Sequence, residues 1–273
     1  MARSGGPAPE ARPDMPEDDR EMGFWDHLGE LRTRLIRSLW GLLPGLAAGW
    51  VFREELLAAL VRPFTLAWRS LGREENPHLV FLNPIDPFVA YLKIAVIAGI
   101  LGGAPWIFWQ LWAFLSPGLY RRERRLAMPF VFVSTLCFIG GIAFGYFAVF
   151  PAAFEYFLDF AVTLPGGLSL EPQIAINEIL TFELRMLLAF GIVFELPVVI
   201  TFLAAAGIVD WRQLLRFGRW WVLIAAVLSA LLTPPDVGSQ LLMLGPLVFL
   251  YFLSVVFAAI VGKRRKRAEQ ASE

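Results

Sequence analysis

Three glutamates stand where a carboxylate could do chemistry. Glu30 lies in FWDHLGELRTR, Glu123 in SPGLYRRERRLAM and Glu195 in AFGIVFELPVVITF. A carboxylate in such settings accepts charge-assisted hydrogen bonds. Glu123 is one acidic point among Arg121, Arg122, Arg124 and Arg125, in a charged island between two long apolar runs. On its own this reads as a solvated ion-pair cluster. Glu30 precedes Arg34 by four residues, the favourable order for a helix-surface ion pair worth a few tenths of a kcal/mol. Glu195 differs in kind, because it falls near the centre of an apolar segment and close to the bilayer midplane. There an acidic side chain costs roughly 2.5–3.5 kcal/mol and faces protein, water or a partner instead of lipid. Two readings stay open for it: an acid hydrogen-bonded inside the bundle, or a polar docking point for a partner span or a passing peptide.

Other chemistries lack their residues. No GxxxxGK[ST] loop is present, so no nucleotide site is expected. His27 and His78 lie outside the apolar segments, and neither an HExxH pattern nor a cysteine cluster suggests a metal. Cys137 is the single cysteine, which rules out an intrachain disulfide. No cofactor, no nucleic-acid partner and no enzymatic activity are expected.

The elements that must position these carboxylates are membrane spans. Of 273 residues, 57% are hydrophobic, above the roughly 45–50% of soluble domains, and the mean hydropathy is +0.60. Six apolar segments are expected, near 35–52, 88–115, 128–158, 182–206, 220–232 and 241–261. Before them, Phe24, Leu28, Leu31 and Leu35 form one stripe of a helix expected to lie on the membrane surface before turning inward. The thirteen residues of the fifth segment reach only about 20 Å, so local thinning, shielding by protein or entry of water is needed. Polar Thr233, Asp236 and Gln240 cluster at the turn that follows, either bonding a neighbouring helix or simply solvated. Pro105, Pro151, Pro197 and Pro246 interrupt the long spans, as kinks of a curved wall or as prolines that membrane helices tolerate.

Orientation follows from Lys and Arg. Arg32, Arg34 and Arg37, the four loop arginines, Arg212, Arg216 and Arg219, and the run Lys263 to Arg267 all fall on one side. Arg53, Arg62, Arg69 and Arg73 are the only ones in the opposite loops, while Lys93 and Arg185 sit near span ends where they can snorkel. The bias places both termini in the cytoplasm. The expected fold is an all-α membrane protein of six kinked helices forming a concave wall, with two structured cap loops on the far side. Residues 1–20 read as a disordered tail, 21–262 as the membrane domain and 263–273 as a basic tail.

HLGELRTRL, WAFLSPGLYRRERR, FELP and LLTPPDVGSQ, in this order on a six-span chain, closely resemble the TatC family, the signal-peptide receptor of the twin-arginine protein translocase. The resemblance covers about Phe24 to Lys263. It implies a non-enzymatic receptor in the cytoplasmic membrane of a prokaryote. Such a receptor binds twin-arginine signal peptides of folded cargo, recruits the single-span subunits TatA and TatB, works in a homo-oligomeric receptor complex among membrane lipids, and draws on the proton-motive force. Carried over position by position, Glu30 and Glu123 match the acids of signal-peptide recognition, with Arg32, Phe114, Tyr120 and Arg121 shaping that surface. Glu195, Thr233 and Gln240 match a polar region for partner helices, Pro63 and Asp236 structural positions, and Ala230 replaces a Met common in relatives. A competing reading is a proton-coupled secondary transporter using Glu195, although no internal repeat supports it. An intramembrane hydrolase lacks its residues.

Overall fold

The computed structural model describes residues 24–72, 77–115, 127–161 and 172–270. Its helices are α1 (Phe24–Val51), α2 (Arg53–Ser70), α3 (Asp86–Leu115), α4 (Ala127–Phe144), α5 (Phe150–Leu158), α6 (Ile176–Val193), α7 (Leu196–Ala205), α8 (Trp211–Leu232) and α9 (Val237–Gln270). Two short strands, β1 (Leu79–Val80) and β2 (Ile174–Ala175), pair in parallel. Among the described residues, five stretches are long and apolar enough to cross a membrane: Asp86–Phe114, Met128–Leu158, Ile176–Ala205, Trp211–Leu232 and Val237–Lys263. The pair His27–Val51 and Arg53–Ser70, bent by 83°, makes up to a sixth.

Three expectations about the spans need correction. The amphipathic approach is not a separate surface helix: α1 runs unbroken for 28 residues. Polarity predicts where a helix meets water, whereas continuity depends on backbone hydrogen bonds that Glu30 and Arg34 do not interrupt. The fifth span is not short either, since α8 has 22 residues, about 33 Å. Arg212, Arg216 and Arg219 occupy its first turns and hide its length from a count of uncharged residues. An Asp210–Gln213 capping box starts it. The fourth span begins at Ile176, not near Phe182, and breaks at Phe194–Glu195 before Pro197. Pro197 has no N–H to give the preceding turn, so the helix restarts there as α7. Pro151 acts similarly in the third span, where a π-helical turn, Gly145–Val149, precedes it and the Phe150 amide bonds back to the Gly145 carbonyl. The basic stretch after Gly262 extends α9 as helix to Gln270.

Close backbone approach locks α1 to α3. A Cβ added at Gly45 would lie 2.8 Å from the Ala98 carbonyl oxygen, and one at Gly49 would lie 2.5 Å from the Ala98 Cβ. Small residues spaced by four let two membrane helices touch through their backbones, where dispersion replaces the missing hydrophobic driving force. Trp106 Nε1 donates to the Arg37 carbonyl at 2.9 Å and fixes the register. A central core of Phe64, Phe150, Leu180, Met186, Phe190 and Leu247 joins α2, α5, α6 and α9.

The two cap segments are tied together. β1 and β2 pair Leu79 with Ile174 and Val80 with Ala175. Asp86, nearly buried, accepts from the Leu82 and Asn83 amides at 3.0 and 2.9 Å and from Asn177 Nδ2 at 3.2 Å. Lys93 donates to Asn177 and, at 2.7 Å, to Thr181. It is therefore held by α6 and does not snorkel freely. Pro63 is buried inside α2, which packs Phe64 edge-on to Phe154 of α5.

Candidate functional site: the end of the bundle that carries Glu30

The first turns of α1 lie against the last turn of α3, because the glycine contact makes the two helices antiparallel neighbours along their length. His27 stacks on Phe114 with ring centroids 4.3 Å apart and planes 16° apart. One turn along, Glu30 Oε1 accepts from Arg34 Nε at 2.7 Å and from its terminal nitrogen at 2.5 Å. The ion pair open at Glu30 is thus formed. It is half-buried, at 20% and 23% side-chain exposure for Glu30 and Arg34, and in that setting contributes on the order of 0.5 kcal/mol. Glu30 Oε2, by contrast, is buried and has no hydrogen-bond partner among the described residues. Its lone pairs remain unclaimed on the side of the carboxylate that Arg34 does not reach.

The remaining residues expected at this surface divide. Arg32 is exposed, so it borders Glu30 in sequence but not in hydrogen bonding. Tyr120, Arg121 and Glu123 lie outside the described residues, in the stretch of sequence between α3 and α4. Gln110, one turn before Phe114 on α3, is buried with its Oε1 unpartnered among the described residues. The sequence reading missed it, though its place four residues before Phe114 on the same helix face was visible.

The second group of expected residues does not converge. Thr233 is buried and donates to the Ser229 carbonyl at 2.8 Å, while Gln240 Nε2 donates to the Ala226 carbonyl at 3.2 Å. Both sit in the α8–α9 hairpin. Asp236 caps α9 by accepting from the Ser239 amide at 2.8 Å. Glu195 lies apart from them, at the break between α6 and α7, where Ser134 and Cys137 of α4 are its neighbours. Ser134 also accepts from Trp112 Nε1 at 3.1 Å, so the chain Trp112–Ser134–Glu195 links α3, α4 and the broken span. Glu195 Oε1 has no partner among the described residues, and neither has the Thr201 hydroxyl one helical turn and a half away. Beside them an apolar cavity of about 260 Å³ is lined by Phe130, Cys137, Pro197, Val198 and Phe257.

A second intramembrane acid went unread. Glu183 is fully buried in α6, two residues before Arg185. Setting the start of the span near Phe182 made Glu183 look like a terminal residue, whereas helix from Ile176 carries it inside.

Comparison with known proteins settles the family. The model of the Sec-independent protein translocase protein TatC matches residues 26–246. The chain belongs to the TatC family. A TatC protein of Desulforapulum autotrophicum is 38% identical over 256 residues, covering 94% of this chain and 91% of that protein. One of Aquifex aeolicus is 32% identical over 250 residues, covering 92% of this chain and all of the other. A crystal structure of a twin-arginine translocase receptor, TatC, superposes with a TM-score of 0.75 at 32% identity, covering 86% of this chain and 99% of that one. The relatives are named as translocase proteins and the solved structure as a translocase receptor. The secondary-transporter reading of Glu195 is not favoured.

Proposed function

We propose that this chain is the signal-peptide receptor of a twin-arginine translocase, with its recognition surface at the end of the bundle where α1 begins and α3 ends. The observation that carries the reading is Glu30. Its carboxylate is held in place by Arg34 through one oxygen, while the other oxygen is unclaimed beside the His27–Phe114 stack. Two adjacent guanidinium groups of an incoming peptide are matched by two carboxylates, Glu30 and Glu123, each able to accept forked hydrogen bonds. Arg32, Phe114, Tyr120 and Arg121 border that surface. Glu195, Thr233 and Gln240 are assigned to contacts with the single-span subunits TatA and TatB, at two separate places in the bundle. Pro63 and Asp236 hold backbone. The concave wall faces partner helices in a homo-oligomeric receptor complex surrounded by membrane lipids. Both termini, including the tails 1–20 and 263–273, are cytoplasmic in the inner membrane of a prokaryote, and export is driven by the proton-motive force.

The test is photocrosslinking from positions 30 and 123 to a twin-arginine peptide, with the Arg pair replaced by Lys as control. Charge-assisted hydrogen bonds worth about 1.5–3 kcal/mol predict that Glu30→Gln or Glu123→Gln weakens peptide binding by roughly 10- to 100-fold. Equal crosslinking of both variants, with membrane insertion intact, refutes the assignment.

A further inference from the structure

Glu183 belongs to neither group of residues assigned above, yet it is the least expected side chain in the bundle. It lies seven residues past the start of α6, about 10 Å along the axis from the end bearing the cap segments. Its exposure is 0%, and neither carboxyl oxygen has a hydrogen-bond partner among the described residues. An ionised carboxylate without a partner is strongly disfavoured in such a place, so a second species must accompany it.

The charged and titratable groups on the neighbouring elements narrow what that species is. Lys93 on α3 is taken up by Asn177 and Thr181, six and two residues before Glu183 on α6. Arg62 on α2 is exposed and forms no ion pair with Glu183. Cys137 on α4 neighbours Glu195 instead. That leaves Tyr146, in the π-helical turn Gly145–Val149, a type of distortion often found at functional sites. Its one hydroxyl hydrogen is donated to the Ala59 carbonyl of α2 at 2.6 Å. That hydrogen is committed to α2 and is not free to partner Glu183. An apolar cavity of about 230 Å³, bounded by Leu56, Leu60, Ile94, Tyr146 and Leu187, adjoins the π-helical turn, and so apolar a lining disfavours a buried water there.

We propose that Glu183 is a proton-binding site of the bundle, exchanging its proton with the side of the membrane on which α2 and the cap segments lie, the nearer end of its span. In the exchange a hydronium ion gives its proton to a carboxylate oxygen and departs as water; release is the reverse, and nothing is oxidised or reduced. The neutral acid fits the packed interior. Loss of its proton loads α6 with a buried charge, so the packing of α6 on the π-helical turn responds to acidity on one side only.

The experiment uses the full chain in sealed liposomes and dicyclohexylcarbodiimide, a probe of neutral carboxyls in apolar surroundings. The carboxyl proton moves to one carbodiimide nitrogen, the carboxyl oxygen bonds to the central carbon, and the acyl group then shifts to nitrogen with no leaving group. Peptide mass analysis is expected to find the adduct on Glu183 in the parent protein and in Glu195→Gln, and to lose it in Glu183→Gln. Raising the pH on the α2 side abolishes that labelling, and raising it on the opposite side leaves it unchanged. Should Glu183→Gln fail to fold, the parent protein still decides: its neutral-carboxyl infrared band shifts in heavy water, and the Glu183 adduct tracks the pH of one compartment. Absence of the adduct at every pH, or dependence on the opposite compartment, overturns the proposal. None of these readouts involves a signal peptide, so the receptor reading stands or falls separately.

Discussion

Gly45→Ala tests how tightly the first and third helices are joined. The new Cβ would stand 2.8 Å from the Ala98 carbonyl oxygen and 3.0 Å from the Gly99 Cα, both backbone atoms that no rotamer change can move away. Restoring an ordinary contact of 3.4 Å requires the helices to part by roughly 0.6 Å at this point. Overpacking of this sort costs about 1–3 kcal/mol, against which alanine returns up to about 1 kcal/mol of helix propensity. The net expectation is a loss of up to about 2 kcal/mol, or as much as roughly 30-fold in the folding equilibrium. Two internal controls calibrate it. At Gly102 a Cβ meets the Gly45 Cα at 3.5 Å, an ordinary contact, and at Gly140 nothing lies within 4 Å. Both alanine variants are therefore expected to be neutral or mildly stabilising. Reversible unfolding in mixed micelles, followed by tryptophan fluorescence, measures all three on one scale. If Gly45→Ala proves as stable as Gly140→Ala, the helices are not in backbone contact and the reasoning fails.

Three further outcomes are expected. Arg34→Gln releases Glu30 Oε1, so affinity for a twin-arginine peptide rises by about twofold, the weight of an i,i+4 pair, in a direct binding titration. Asp86→Ala strips two amides of their acceptor and costs about 1–3 kcal/mol, with Leu82 and Asn83 losing hydrogen-exchange protection first. Tyr251→Phe removes the hydroxyl that donates to the Leu214 carbonyl at 2.7 Å and costs about 1 kcal/mol, leaving the stack on Trp221 intact.

Residues differ in how much of their setting they announce. Long uncharged runs around Val89, Leu136 and Leu250 identify spans because the bilayer fixes their length. The motif residues Glu30 and Phe114 are recognisable from local words, and the stack between His27 and Phe114 brings those words together. Helix ends were harder. The start of α6 is set where the β1–β2 pairing stops, a contact between segments far apart in sequence, and that displaced Glu183 from a loop edge to the interior. Likewise Gly41, Gly45 and Gly49 recur every fourth residue, but the pattern means contact only once Gly99 and Gly103 lie opposite. Thr233 and Gln240 look available as polar residues in a turn, whereas backbone carbonyls of α8 already receive their donors.

The sharp elbow at Phe52 has a mechanical consequence. Beyond it, α2 is bolted sideways to α5 through Phe64 on Phe154 and Ser70 on Glu155, so one tip of α1 is braced. Among the described residues, the tip bearing Glu30 is joined by the His27–Phe114 stack to the end of α3, whose Trp112 is held by Ser134 and Phe130 of α4. A load on that tip is therefore passed sideways through α3 into α4 as well as lengthwise to the elbow, as a strut shares its thrust with a tie beam.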